Sequence, residues 1–155
     1  MNERARRALG LGVAAVAAAA VLAVAPARAH ATGVTCDVLC IWATNSEVGI
    51  DPALKDIPEL MKPPFAGYKG YKLLADLSIN LEEGAPADVP ITPDTKLVLT
   101  LNGMKGTPPK IALHVLVPPK KLEANLLSPP GKRSFLAGLP HKDGILIIGL
   151  SCKPK

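Results

Sequence analysis

Two of the three histidines, together with the three cysteines, are the side chains of this sequence best suited to hold a transition metal. Imidazole and thiolate both bind copper and zinc, and the chain after residue 31 carries them as His114, His141, Cys36, Cys40 and Cys152. No pair has the spacing of a ligand motif such as Cys-x2-Cys or His-x3-His. We therefore predict no cofactor and interpret His114 as a strand residue and His141 as a turn residue. A copper- or zinc-handling protein that uses His114, His141 and a cysteine is the alternative.

The odd number of cysteines predicts one disulfide and one remaining thiol. Cys36 and Cys40 point to one face of a strand but lie about 13 Å apart along it, too far to bond each other. Either one reaches Cys152 if the first and last strands are neighbours. We favour Cys36–Cys152, because both residues lie towards strand ends, and keep Cys40–Cys152 as the alternative.

Residue patterns that carry out enzyme chemistry are missing from the sequence. It contains no Gly-x-Ser-x-Gly and no phosphate-binding glycine loop. Asp51, Asp56 and Glu59 form a group of carboxylates such as a glycosidase could use. Capping and the helix dipole explain acidic residues at the beginning of a helix more simply. We predict no catalytic residue and a protein that is not an enzyme.

The first 31 residues have the composition of a signal peptide. Arginines near the start precede a charge-free run over residues 8–27, and small-x-small motifs end at Ala29 and Ala31. We expect cleavage after Ala29 or Ala31 and general secretory export to the bacterial periplasm or the medium. An uncleaved membrane anchor is the rival interpretation, although alanine, half of the run, partitions weakly into hydrocarbon.

Removing this leader changes the charge of the protein. The remaining residues, 32–155, keep 14 basic and 12 acidic side chains, a net charge of +2 instead of +5. Nucleic-acid-binding proteins keep a concentrated basic face, whereas these lysines are scattered. We predict a single domain over residues 32–155 with no nucleic-acid partner and no stable membrane anchor.

Alternating apolar residues and frequent prolines indicate an all-β fold. Proline lacks an amide donor and belongs at strand ends, and Pro-Pro pairs at 108–109, 118–119 and 129–130 bracket short apolar runs. A period of two predicts half-buried strands. We predict an antiparallel β-sandwich of about seven strands, at 37–43, 71–81, 97–101, 111–117, 122–126, 135–139 and 145–150.

Two of these strands, 37–43 and 145–150, are apolar on both faces. Such strands lie in the middle of a sheet that is covered on both sides. Residues 51–62 are the only helical candidate, with Asp51 as N-cap and an apolar stripe. We predict one short helix over these residues, kinked or split into two turns at Pro58, that covers this sheet face or edge. A partner subunit that covers it is the alternative.

The segment 59–74 holds three of the five aromatic residues and could be either a binding surface or a structural corner. We expect Phe65 to enter the core and Tyr71 to join the inward face of the next strand, in step with Leu73 and Leu77. With Phe65 and Tyr71 assigned to the core, Tyr68, with Lys69 beside it, is the remaining candidate for contact with a partner. We favour the structural corner over a binding surface, because a stacking surface needs several exposed rings.

The segments 43–74 and 144–153 resemble a group of small exported bacterial proteins. The shared pattern is Asp-Pro-x-Leu, Leu-x-Lys-Pro-Pro-Phe, Tyr-x-x-Tyr-Lys-Leu-Leu and a closing Gly-x-Leu-Ile-x-Gly strand. The resemblance implies export and a common fold. It implies no activity and no catalytic residue, and the three cysteines are not part of the pattern.

Three functional hypotheses follow from these features. The first is an exported, non-enzymatic binding or assembly module of the cell envelope. The second is the copper- or zinc-handling protein described above. The third is a self-assembling structural subunit whose doubly apolar sheet pairs across an interface. In the first and third cases the partner is an unknown envelope protein or another copy of the chain.

Overall fold

The computed structural model describes residues 33–119 and 122–155, which form an all-β sandwich. The predicted signal peptide and its cleavage positions lie outside these residues. Nine strands are present in the described part of the chain: β1 (Gly33–Thr44), β2 (Gly49–Ile50), β3 (Gly70–Glu82), β4 (Ala87–Thr92), β5 (Thr95–Lys105), β6 (Lys110–Val117), β7 (Leu122–Ser128), β8 (Arg133–His141) and β9 (Gly144–Pro154).

The strands form two sheets. The first sheet has the order β2-β3-β1-β9-β8, and the second has the order β4-β5-β6-β7. All pairs are antiparallel except the short parallel contact between β2 and β3. The seven predicted strands are all present. β2 was missed because it has two residues, and β4 because Pro90 in its middle argues against a strand.

The two strands that are apolar on both faces are neighbours at the centre of the first sheet, as predicted. One face of β1 and β9 meets the second sheet in an inter-sheet core that includes Val38, Cys40, Leu99, Val115 and Ile148. The other face is covered by the chain itself. This outer cluster consists of Leu39, Ile41, Ala43, Leu54, Ile57, Leu60, Phe65, Tyr71 and Ile147.

The cover differs in conformation from the prediction. In place of one kinked helix over 51–62, the chain makes two 3-10 turns, Pro52–Leu54 and Pro58–Met61. Pro58 has no amide to continue an α-helical ladder, so the first turn stops before it and a second turn begins there. Asp51 caps the first turn as expected, because its side chain accepts a hydrogen bond from the Ala53 amide. We refer to residues 51–65 as the cover segment.

A bulge in β3 corrects one detail of the predicted strand. Cys40 pairs with Ala75, but Ile41 pairs with Leu73, so Leu74 is an extra residue in the ladder. An extra residue reverses the faces on either side of it. Tyr71 and Leu73 therefore join the outer cluster, whereas Leu77 packs against the inter-sheet core. The prediction that Tyr71 and Leu77 share a face was wrong.

Candidate functional site

Trp42, the single tryptophan of the chain, lies near the end of β1, where the sandwich opens. It pairs with Lys72 on β3 and with Leu146 on β9, and its half-buried ring packs against the inter-sheet core. The indole Nε1 is buried and has no hydrogen-bond partner among the described residues. An unsatisfied buried donor costs about 1–3 kcal/mol. The ring therefore brings an unused donor to the open end of the sandwich.

The hairpin between β8 and β9 presents two side chains to this ring. His141 meets Trp42 edge to face, with ring centroids 5.8 Å apart. The Nζ of Lys142 lies 4.8 Å from the centroid of the Trp42 ring, within the range of a cation–π contact. Lys142 is exposed and has a φ of 51°, in the left-handed region that non-glycine residues seldom adopt. The turn geometry thus aims an amine at the indole face.

Asp143 fixes the position of this hairpin. Its carboxylate accepts hydrogen bonds from the hydroxyls of Ser46 and Thr44, the latter at 2.7 Å, and its carbonyl accepts one from Asn45 Nδ2 at 3.1 Å. The Ser46 and Thr44 hydroxyls hold the pKa of the Asp143 carboxyl below its usual value. Gly144 allows the close approach, because a Cβ there would lie 1.8 Å from the Ala43 carbonyl oxygen.

Three cavities surround this end of the sandwich. One of about 380 Å³ lies between Thr95, Leu139 and His141, and one of about 300 Å³ lies between Leu74, Ile91, Asp94 and Lys142. A third, of about 310 Å³, is bordered by Trp42, Ile50 and Lys72. Their volumes are at the small end of the range for ligand sites, about 300–1,000 Å³. We call Trp42, His141, Lys142 and these cavities the Trp42 end.

The Trp42 end combines apolar walls with uneven charge. Lys72 and Lys142 make no ion pair with any described residue. Of the nearby carboxylates, Asp143 is engaged by hydroxyls, and Asp51 accepts hydrogen bonds from the amides of Ala53 and Leu73. Asp51, Asp94 and Asp143 keep their negative charges, so this end is positive only locally, at the amine heads of Lys72 and Lys142. The arrangement can accept an apolar body that carries a negatively charged, hydrogen-bond-accepting group.

The two predicted histidines lie in different sheets. The His114 Nε2 on β6 lies 2.9 Å from the Glu123 Oε1 on β7, while His141 on β8 packs against Trp42. Across residues 33–119 and 122–155, no three His, Cys, Asp or Glu side chains come close enough together to hold a metal. The structure does not join His114, His141 and a cysteine in one site.

The predicted disulfide between Cys36 and Cys152 is confirmed. The two residues lie directly opposite each other in the β1–β9 pair, and their sulfur atoms are bonded. Cys40 is the free thiol, buried in the inter-sheet core. Burial raises the pKa of the Cys40 thiol to about 11.

The candidate partner contact at Tyr68 and Lys69 is only partly accessible. Tyr68 is half-buried, packs against the outer cluster and meets Tyr71 edge to face at 6.5 Å. Lys69 is exposed, and its Nζ lies 3.4 Å from a carboxylate oxygen of Glu47. Phe65 is buried in the cover segment as predicted. Contact with a partner through Tyr68 and Lys69 stays a prediction.

The structure gives a role to one of the three carboxylates of residues 51–59. Asp51 is used for capping, as described above, and Asp56 and Glu59 are exposed. A lone tryptophan near the end of an apolar strand is the one sign of the Trp42 end in the sequence. That end is built from β1, the β4–β5 turn and the β8–β9 hairpin, which are far apart in the chain.

Fold and site together define an all-β sandwich with an aromatic and cationic open end. No protein-family model matches the chain, and no curated protein or solved structure matches it significantly. Within the described ranges, no helix is long and apolar enough to cross a membrane.

Proposed function

We propose that the protein is an exported, non-enzymatic binding module of the bacterial cell envelope that takes a small ligand at the Trp42 end. Export is supported by the composition of the first 31 residues and by the Cys36–Cys152 disulfide, since disulfides persist in oxidising compartments. A mature N-terminus at His30 or Thr32, read by mass spectrometry, tests the export part; an intact leader contradicts it.

The observation that carries the binding proposal is the buried Trp42 Nε1–H without an acceptor. Native proteins pair nearly all buried polar groups, and exceptions often mark functional positions. A ligand oxygen that reaches this N–H from the cavity bordered by Trp42, Ile50 and Lys72 satisfies it. The Lys142 amine on the ring face adds a positive charge at the same end.

The chemistry of the cavities defines the ligand class as a small anionic amphiphile. Apolar side chains such as Leu74, Leu139 and Leu146 receive the hydrocarbon part. Lys72 and Lys142 attract a carboxylate or phosphate, which also accepts a hydrogen bond from the indole. The cavity volumes fit a single short chain.

Trp42 itself reports binding, because it is the only tryptophan in the sequence. We expect dodecanoate, added below its micelle concentration, to change the Trp42 fluorescence saturably, with a matching heat in calorimetry. Lys142→Glu replaces an attractive charge by a repulsive one and weakens binding by about tenfold or more. Trp42→Phe, followed by calorimetry, also weakens binding because phenylalanine lacks the N–H donor.

Lys105→Glu is the matched control. Lys105 is exposed at the far end of β5 from Thr95, so the same change in charge there leaves dodecanoate binding unaltered. Absence of saturable binding, or equal weakening by Lys105→Glu and Lys142→Glu, contradicts the proposed site.

The two other hypotheses receive less support. The histidines of the metal hypothesis stand in different sheets, and His114 already has Glu123 as its partner. The cover segment buries the outer face of the doubly apolar strands within the chain, so no exposed apolar face remains there to drive self-assembly.

A further inference from the structure

Each sheet edge of a sandwich exposes unpaired backbone N–H and C=O groups, and most edges here are obstructed. An open edge is a template for another strand unless proline, charge or a bulge blocks it. β4 contains Pro90 and a register shift beside it, and β8 contains Pro140 and a register shift before Leu139. β3 carries the bulge at Leu74, and its beginning is occupied by β2 and by the hydrogen bonds of Asp51.

β7 has none of these obstructions. Its seven residues pair with β6 in unbroken register from Leu122 to Ser128. The strand contains no proline, glycine, lysine or arginine. Leu127 on its outer face is 58% exposed, more than any other large apolar side chain described in residues 33–119 and 122–155. β7 is therefore a straight edge that can accept a further strand.

The inner face of β7 is incompletely buried in a single copy. Leu122 and Leu126 pack against the inter-sheet core but are only half-buried, as is Ala124 in the same row, because no strand lies beyond them. A neighbouring strand with apolar residues in the same row completes their burial.

We propose that β7 pairs with β7 of a second copy of this chain, antiparallel, around a two-fold axis at Asn125. In this register all seven residues overlap: Leu122 lies opposite Ser128, Glu123 opposite Leu127, Ala124 opposite Leu126, and Asn125 opposite itself. Registers shifted either way keep fewer pairs, and a shift by one residue places inner residues opposite outer ones. The inner rows of the two copies then form one continuous apolar row.

Charge favours a second copy over a charged partner. Glu123 is the only charged residue of β7, and its carboxylate already lies 2.9 Å from His114 Nε2. In the Asn125-centred register no like charges face each other, and Glu123 meets an apolar side chain. A self-complementary patch of this kind is what a two-fold dimer requires.

Sedimentation equilibrium with Asn125→Lys tests the pairing. Asn125 is exposed, so the variant keeps the melting temperature of the isolated domain. The substitution places two ammonium groups at the axis and weakens the dimer by about tenfold or more, since like charges at an interface are costly. An equimolar mixture of Asn125→Lys and Asn125→Asp restores the dimer.

Ser78→Lys is the control, because Ser78 is exposed on β3, in the other sheet, and the substitution introduces the same charge away from β7. This variant dimerises like the wild type. A wild-type protein that stays monomeric at millimolar concentration overturns the proposal. So does a dimer that Asn125→Lys leaves intact or that the lysine–aspartate mixture fails to restore. None of these variants changes a residue of the Trp42 end.

Discussion

Cys40 lies in the inter-sheet core, four residues beyond the bridged Cys36 and on the same face of β1. Its thiol is buried, and burial raises its pKa to about 11. The thiolate is the reactive form of cysteine. Both the protonation state and the surrounding side chains therefore protect Cys40 in the folded protein.

This protection predicts a difference in labelling between folded and unfolded protein. At pH 8 without reductant, the folded protein takes up no maleimide within the time in which a free thiol reacts fully. In denaturing urea it takes up one maleimide per chain, because the other two cysteines are bridged. Mass spectrometry counts the labels, and Cys40→Ala takes up none in urea. Rapid labelling of the folded wild type is incompatible with this account.

At the scale of elements, the spacing of the apolar residues in the cover segment matches its 3-10 turns. Leu54, Ile57 and Leu60 follow one another at intervals of three, and all three are buried against the central strands. Residues three apart are eclipsed in a 3-10 helix, whereas an α-helix drifts away from that spacing. The sequence predicted the apolar stripe and its packing on the sheet. The spacing of three within this stripe also favours 3-10 turns over an α-helix, which the predicted helix did not take into account.

Removing one side chain of this stripe destabilises the fold. Leu60 has no exposed surface, so Leu60→Ala lowers the free energy of unfolding by about 2–5 kcal/mol through lost burial and a cavity. Glu59→Ala, at the exposed neighbouring position, changes it by about 0.5 kcal/mol or less. Urea denaturation followed by circular dichroism measures both. Similar losses in the two variants would mean that the segment is not packed on the sheet.

For the whole molecule, the Cys36–Cys152 disulfide closes a loop of 116 residues between the first and last strands. A cross-link over a long loop stabilises the fold mainly by restricting the unfolded chain. Because β1 and β9 are the central strands of the first sheet, this constraint lies at the middle of the fold and not at its edge.

Loss of the disulfide lowers stability without changing the strand order. The double variant Cys36→Ala/Cys152→Ala loses about 4–5 kcal/mol of unfolding free energy in the chain-entropy model. Urea denaturation of wild type and variant, both without reductant, measures the difference. Wild type in reductant serves as the second reference and approaches the stability of the variant. An unchanged midpoint would show that the bridge contributes little.

The sequence allowed the architecture to be predicted because its determinants are local. Period-two runs identified seven strands, and doubly apolar strands placed β1 and β9 at the sheet centre. The bulge at Leu74 and the strand around Pro90 were not predicted, since each depends on pairing with residues distant in the chain. The Trp42 end was not predicted for the same reason, because only the tertiary fold brings Lys142 over the ring of Trp42.

The position of the disulfide also determines how the protein responds to mechanical load. The described chain begins and ends side by side, with the Lys155 amide bonded to the Gly33 carbonyl and the disulfide three residues inward from Gly33. Pulling the two ends apart peels β1 from β9 one rung at a time, the weakest way to load a sheet. The covalent bond stops that peeling after three residues. Tension on the ends therefore does not pass beyond Cys36 and Cys152, and the Trp42 end, at the other extremity of β1, is not loaded.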